Sequence, residues 1–293
     1  MNGHFKNLLI IFSCVGLIFF NIFSPYFLVS FSKLKEIPVM ELGVHYNYSS
    51  DSPSQIYVSL KAIKDVGFTT VKIWLEYNID DINSDINNKT MTFYEQARSL
   101  GLKIALVVRY PDIGLRLDRF LDIYSDRLTY VQILNEPETT NAWTPGSLLI
   151  DNEIYTYAKD IYDMLKDHNC TAKFYTNFTP AFILRPNIVG YFNNLTDFVG
   201  FDAYMDGIIQ FTPILTKYLS SIVEGKEIII SEFGMMENDD IVQANHIISN
   251  LNFFKSMGFK QCWLCYWGGS ELAYNIRGRL AQQAITEWIQ AES

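Results

Sequence analysis

Several things are scarce in this sequence. Only four cysteines occur in 293 residues (Cys14, Cys170, Cys262 and Cys265), too few and too scattered for a disulfide framework. Cys262 and Cys265 form a C-x-x-C inside the strand-like run Gln261–Trp267, where residues three apart face opposite ways, so a redox or zinc pair is not expected. Histidine also numbers four, and no His, Cys, Asp or Glu grouping has the compact spacing of metal ligands. Glu76, Asp80 and Asp81 read as a solvated acidic edge, and neither a metal nor a cofactor is expected. A basic excess is missing too. With 23 Lys and Arg against 32 Asp and Glu, the net charge is −9, which argues against a nucleic-acid partner. Nine Pro and 16 Gly form no low-complexity linker, and 49% hydrophobic residues exclude disorder.

One stretch lacks charge altogether. Asn7–Ser32 contains no ionisable side chain except Cys14 and Tyr26, and Leu8–Phe31 is long enough to cross a hydrocarbon layer of roughly 30 Å as a helix. An uncleaved membrane anchor over 1–36 is the favoured reading, and a signal segment removed after Ser32 the alternative. Either would deliver residues 37–293 to the outer side of the membrane. Sequons at Asn47, Asn88, Asn169, Asn177 and Asn194 are in mild excess over chance, in keeping with that compartment.

The remainder has a rhythm. Eight apolar or β-branched runs recur: Met40–Tyr48, Thr70–Tyr77, Lys103–Tyr110, Leu128–Glu136, Ala172–Thr179, Asp197–Met205, Glu227–Gly234 and Gln261–Gly268. Gly43 to Trp267 spans seven intervals averaging 32 residues, the length of a strand, a helix and two loops. Helical periodicity fills the gaps at Ser54–Val66, Phe93–Leu100, Asp151–Lys166 and Asp240–Met257, three of them stopping at Gly67, Gly101 and Gly258. Eight such units predict a closed (β/α)8 TIM barrel in a single 37–293 domain, expected to be a monomer. A doubly wound open sheet would want a Gly-rich first turn, and His45-Tyr46-Asn47-Tyr48 supplies none.

A barrel of this kind builds its site where the strands end. Those ends supply His45, Tyr46 and Asn47, then Lys72, Trp74 and Glu76, then Arg109 and Tyr110, then Asn135 and Glu136. The second half adds Asn177, Asp202, Tyr204, Glu232 and Trp267. Opposed carboxylates with amide, phenol and indole groups between them suit a neutral, polyhydroxylated substrate. Gly268-Gly269 could hold phosphate on a bare motif reading, but the acidic surroundings oppose it.

Two strings carry a family resemblance. Gln132-Ile133-Leu134-Asn135-Glu136-Pro137 resembles the Asn-Glu-Pro motif on strand four of clan A glycoside hydrolases, and Ile229-Ile230-Ser231-Glu232-Phe233-Gly234 resembles their nucleophile strand seven. The resemblance is closest to family 5. It implies a retaining hydrolase of β-linked glucan or mannan, with Glu136 as acid/base and Glu232 as nucleophile. It further implies Asn135 at the sugar 2-hydroxyl, Tyr204 beside the nucleophile and Trp267 in the sugar platform, with His45, Lys72, Arg109, Asn177 and Asp202 completing a carbohydrate-binding set. Three departures stand out. Lys72 replaces a usual Arg that holds the nucleophile, with Arg109 one strand away as a possible substitute. Asp202-Ala203-Tyr204 replaces a usual His-x-Tyr, and the third strand lacks its usual His. A transglycosylase using the same residues, and a membrane-tethered barrel that binds glycan without cleaving it, are the alternative functions.

Overall fold

The computed structural model describes residues 39–81, 83–109, 114–139, 151–204, 211–268 and 274–292. The expected anchor at 1–36, with Cys14, and the positions Tyr110, Met205 and Gly269 lie outside the described residues. Among the described residues no helix is long and apolar enough to cross a membrane.

Eight strands alternate with helices in chain order. They are β1 (Glu41–His45), β2 (Thr70–Trp74), β3 (Lys103–Val108), β4 (Tyr130–Ile133), β5 (Lys173–Phe178), β6 (Phe198–Ala203), β7 (Ile228–Phe233) and β8 (Gln261–Leu264). Each pairs in parallel with the next, and β8 returns to β1, so the sheet closes into a barrel. All eight lie inside the runs read from sequence, trimmed at their ends. At β1, for example, the chain leaves the sheet after His45, and the Tyr46 hydroxyl turns to donate to Asp51 (2.6 Å).

The helices form where local signals and an apolar face agree. In α1 (Pro53–Val66), the Ser52 hydroxyl accepts from Gln55 N while the Gln55 side chain accepts from Ser52 N. Ile56, Leu60 and Ile63 face inward, and Gly67 ends the helix at φ 110°, a conformation that favours glycine. By contrast, α2 (Asp85–Ser99) starts eight residues before the predicted Phe93. Its first turns bury Asn87 and Thr90, which bond Asn78 and Tyr48, so a polar face packs inward and hides the apolar period. The ring continues with α3 (Leu115–Tyr124), α4 (Asp151–Asp167), the short α5 (Pro186–Tyr191), α6 (Thr212–Ile222), α7 (Asp240–Ser256) and α8 (Leu280–Glu292).

Inside the barrel, Ala105, Tyr130, Tyr175, Phe198, Ile229 and Trp263 form a separate apolar layer. Tyr175 stacks on Phe198 (centroids 4.9 Å apart), and Trp263 meets Tyr130 and Tyr175 at 5.5 and 5.3 Å. Space for this indole comes from Gly43, where a Cβ would lie 2.5 Å from Trp263 Cδ1. These bulky rings floor the barrel and carry the polar layer above it.

Candidate active site

The polar layer is built by strand alternation plus one irregularity. Lys72, Gln132, Asn177 and Asp202 lie on β2, β4, β5 and β6, and all four are buried. On β7 the register with β6 shifts: Phe201 pairs with Ile230 but Asp202 pairs with Glu232, so Ser231 is skipped. This bulge lets adjacent residues serve one site. Ser231 Oγ donates to Asp202 Oδ1 (2.6 Å), while Glu232 meets Lys72.

Glu232 is 5% exposed, and each of its oxygens is engaged. Lys72 Nζ bonds Oε1 and the Tyr204 hydroxyl donates to Oε2. Cys265 Sγ lies 3.6 Å from the same Oε2 and 2.9 Å from the Tyr204 hydroxyl. Lys72 therefore takes the position expected of an Arg. Arg109, one strand over, places its guanidinium over the Trp74 ring, 5.0 Å from the centroid.

Glu136 sits opposite, half-buried, just beyond the end of β4. Its backbone has φ 44°, and Leu134 has φ 61°, a left-handed conformation that is costly for side chains of this size. Hydrogen bonds hold the bend. Gln132 Nε2 donates to Leu134 O (3.2 Å), Asn135 Oδ1 (2.7 Å) and Asn177 Oδ1 (2.7 Å), and Glu136 N donates to Asn177 Oδ1 (2.9 Å). Asn177 Nδ2 reaches Asn135 Oδ1 (3.1 Å) and Asp202 Oδ2 (2.5 Å). Burial, and then the charge of Glu232, push the Glu136 carboxyl up to about 7, with Lys72 and an Asp202 hydrogen bond opposing.

Some sequence expectations change here. Trp267 is fully buried and packs edge-on against Phe68 at 6.2 Å in the layer between sheet and helices, so it is not a platform at the mouth. Alternation persists through Cys265 and breaks there, so Trp267 enters the outer core, while Tyr266 stacks on His45. Asn177 and Asp202 have no exposed surface and lie beneath the site as supports, not as surfaces that line it. His45 is likewise 1% exposed, stacked on Tyr266 (4.7 Å) and tilted to Trp74 (5.1 Å). Burial, Lys72 and Arg109 hold its imidazole well below the ordinary range, hence neutral. Asn47 takes Ser49 N and Oγ on its own Oδ1, a local turn away from the site. Cys262 faces the outer core and Cys265 the site, on opposite faces as the strand reading requires, although Cys265 is a partner of the site and not only core.

Gln132, Ser231, Cys265 and Tyr266 went unread as site residues. For Gln132 a signal existed: on a strand it lies two residues before the bend that presents Glu136, an unusual place for a buried amide. Glu138 is a further surprise. It is buried, its Oε1 accepts from Thr179 N (2.5 Å) and Oγ (2.8 Å), and burial pushes its carboxyl up to about 8.

One carboxylate oxygen each from Glu136, Asp202 and Glu232 lie within 4.8 Å of one another. Such a trio could gather round a cation. Here the Lys72 ammonium already occupies Glu232, and Asn177 and Ser231 donate to Asp202, so protein donors fill that role.

No family model and no curated protein matches the chain. Solved structures do match. An endo-1,4-β-mannanase from Rhizomucor miehei superposes with a TM-score of 0.65 at 12% identity, covering 89% of this chain and 96% of that one. The endo-1,4-β-D-mannanase of Thermotoga petrophila gives 0.59 at 11% identity, covering 86% and 99%. A GH30 endoxylanase from Clostridium papyrosolvens gives 0.56 at 11% identity, covering 86% and 72%. The shared property is the barrel fold.

Proposed function

We propose that the chain is a retaining glycoside hydrolase of β-linked polysaccharide, mannan or glucan, with Glu232 as nucleophile and Glu136 as acid/base. The observation that carries this reading is the carboxylate spacing. One oxygen of Glu136 lies within 4.8 Å of one of Glu232, a close approach compatible with the roughly 5–5.5 Å between the carboxyl groups of retaining enzymes. Lys72, Tyr204 and Cys265 hold Glu232 as an oriented anion facing the anomeric carbon. Its attack forms a glycosyl ester and breaks the bond to the leaving oxygen, which takes the Glu136 proton. Glu136, now ionised, accepts a proton from the water that releases the sugar. Asn135, with Oδ1 engaged, offers its amide N–H to the sugar 2-hydroxyl, and Trp74 and Tyr266 supply aromatic faces at the mouth. The pairing of Lys72 with Glu232, opposite a carboxyl pushed up to about 7, favours catalysis over a binding-only barrel, because it sets one acid up to attack and the other to donate a proton.

We further propose that Asn7–Ser32 anchors the chain with its barrel outside. It should fractionate with membranes and be cut by external protease; a soluble form beginning at Lys33 would overturn this.

The test of function is turnover of the full chain on mannan, glucan and xylan, with products sized. Shortened chains are expected, and elongated ones would mean transfer to sugar in place of water. Glu232→Ala should abolish turnover on every substrate, and full activity in that variant would refute the assignment.

A further inference from the structure

The polar layer holds more acid than cation. Three carboxyls from β4, β6 and β7 meet within 4.8 Å, and Lys72 of β2 is the ammonium in contact with them, bonded to Glu232. Three ionised carboxylates at that spacing, two of them buried, repel one another strongly. Asp202 is the most enclosed, with no exposed surface. Burial, Glu232 and Glu136 drive its carboxyl upward, against the opposing pull of Lys72 and Ser231. Among the described residues, its other titratable neighbours include the Tyr175 phenol of β5 and the Cys265 thiol after β8, both pushed well up and neutral. Asp202 Oδ2 and Oδ1 accept from Asn177 and Ser231. One of its oxygens lies within 4.8 Å of an oxygen of Glu136 and of one of Glu232. A carboxyl with no exposed surface, this near two others, is stabilised by keeping its proton.

We propose that Asp202 is a positioning residue, a buried neutral acid that leaves the Lys72 charge to Glu232. When Glu136 gives its proton to a leaving oxygen and is reprotonated by the incoming water, Asp202 stays neutral beside it, so no second buried anion competes for Lys72. The sequence departure at Asp202-Ala203-Tyr204 thus acquires a chemical role. The catalytic part rests on Glu136 being the acid/base; the protonation of Asp202 does not.

The test is Asp202→Asn in the full chain, which keeps both contacts if the Ser231 hydroxyl turns to accept. An aspartate ionises near 3.9 when unfolded. A raised folded value means that the native state keeps a proton the unfolded chain loses, so wild type should lose stability relative to the variant as pH rises above about 4. The ratio of the two folding constants should change by about tenfold per pH unit until the folded group titrates. A ratio flat from pH 4 to 8 would overturn the proposal. Should the variant not fold, infrared spectra of wild type with isotope-labelled aspartate should contain a protonated-acid band at pH 6, and its absence would overturn the proposal equally. Neither readout needs turnover, so failure of the glycosidase reading is seen separately. Where turnover is present, Asp202→Asn should leave the alkaline limb of kcat/KM nearly in place; a fall of about one unit would mean an ionised Asp202 had been removed.

Discussion

Lys72 carries a charge that Glu232 cannot do without. Lys72→Met would leave a 5%-exposed carboxylate with no cation, so a loss of about 3–5 kcal/mol in denaturant unfolding is expected along with turnover. Lys72→Arg keeps the charge but must fit a larger head into an enclosed site, at about 1–3 kcal/mol. Full stability in Lys72→Met would refute the pairing. With the Glu136 carboxyl pushed up to about 7, kcat/KM should fall as pH rises through that value, because the protonated acid is lost. Glu136, Glu232 and Lys72 were legible because each stands in a recognisable string on a countable strand. Ser231 and Cys265 were not, because an ordinary Ser and an ordinary buried Cys become site partners only through a bulge and a strand exit that no local pattern announces.

Among the elements, β1 and β6 are the least tolerant of added volume. Gly43→Ala would set a methyl against the rigid Trp263 indole, and Gly200→Ala would put one 2.2 Å from Ser231 Oγ. Both should destabilise by about 1–3 kcal/mol in thermal unfolding. Gly200→Ala should in addition reduce turnover, since Ser231 is the partner of Asp202. Unchanged stability in Gly43→Ala would show that the aromatic floor yields more readily than its packing suggests. Helix α1 was readable from its apolar spacing over Ser54–Val66 and its stop at Gly67, local signals that need no tertiary knowledge, while its start at Pro53 under the Ser52 cap lies one residue earlier. The start of α2 was not, since Asn87 and Thr90 are buried by hydrogen bonds to distant partners. Trp267 failed for a related reason: the strand ends before it, and periodicity beyond an end says nothing about direction.

For the whole molecule, the 32-residue interval sufficed to read a closed barrel, because each strand–helix unit must bury one sheet face and one helix stripe. What the interval could not convey is how much acid the barrel encloses. Glu136 and Glu138, pushed up to about 7 and 8, bind protons in the native state that an unfolded chain releases near 4.3. Their contribution is therefore full at low pH and is lost as pH rises from about 4.5 towards 8. Glu138→Gln, which keeps the acceptor for Thr179, should gain stability relative to wild type over that window, read as a growing difference in Tm. A constant difference would mean that Glu138 is ionised in the fold.

The most direct test of the central claim uses Glu136→Ala with an activated aryl β-glycoside, whose leaving group needs no proton. Glu232 should attack, release the phenol in a burst, and remain esterified. Intact-mass analysis should then show one added glycosyl unit, and peptide mapping should locate it on Glu232. An adduct on any other residue, or a first-released sugar of inverted anomeric configuration from the wild-type chain, would contradict the retaining mechanism proposed for this barrel.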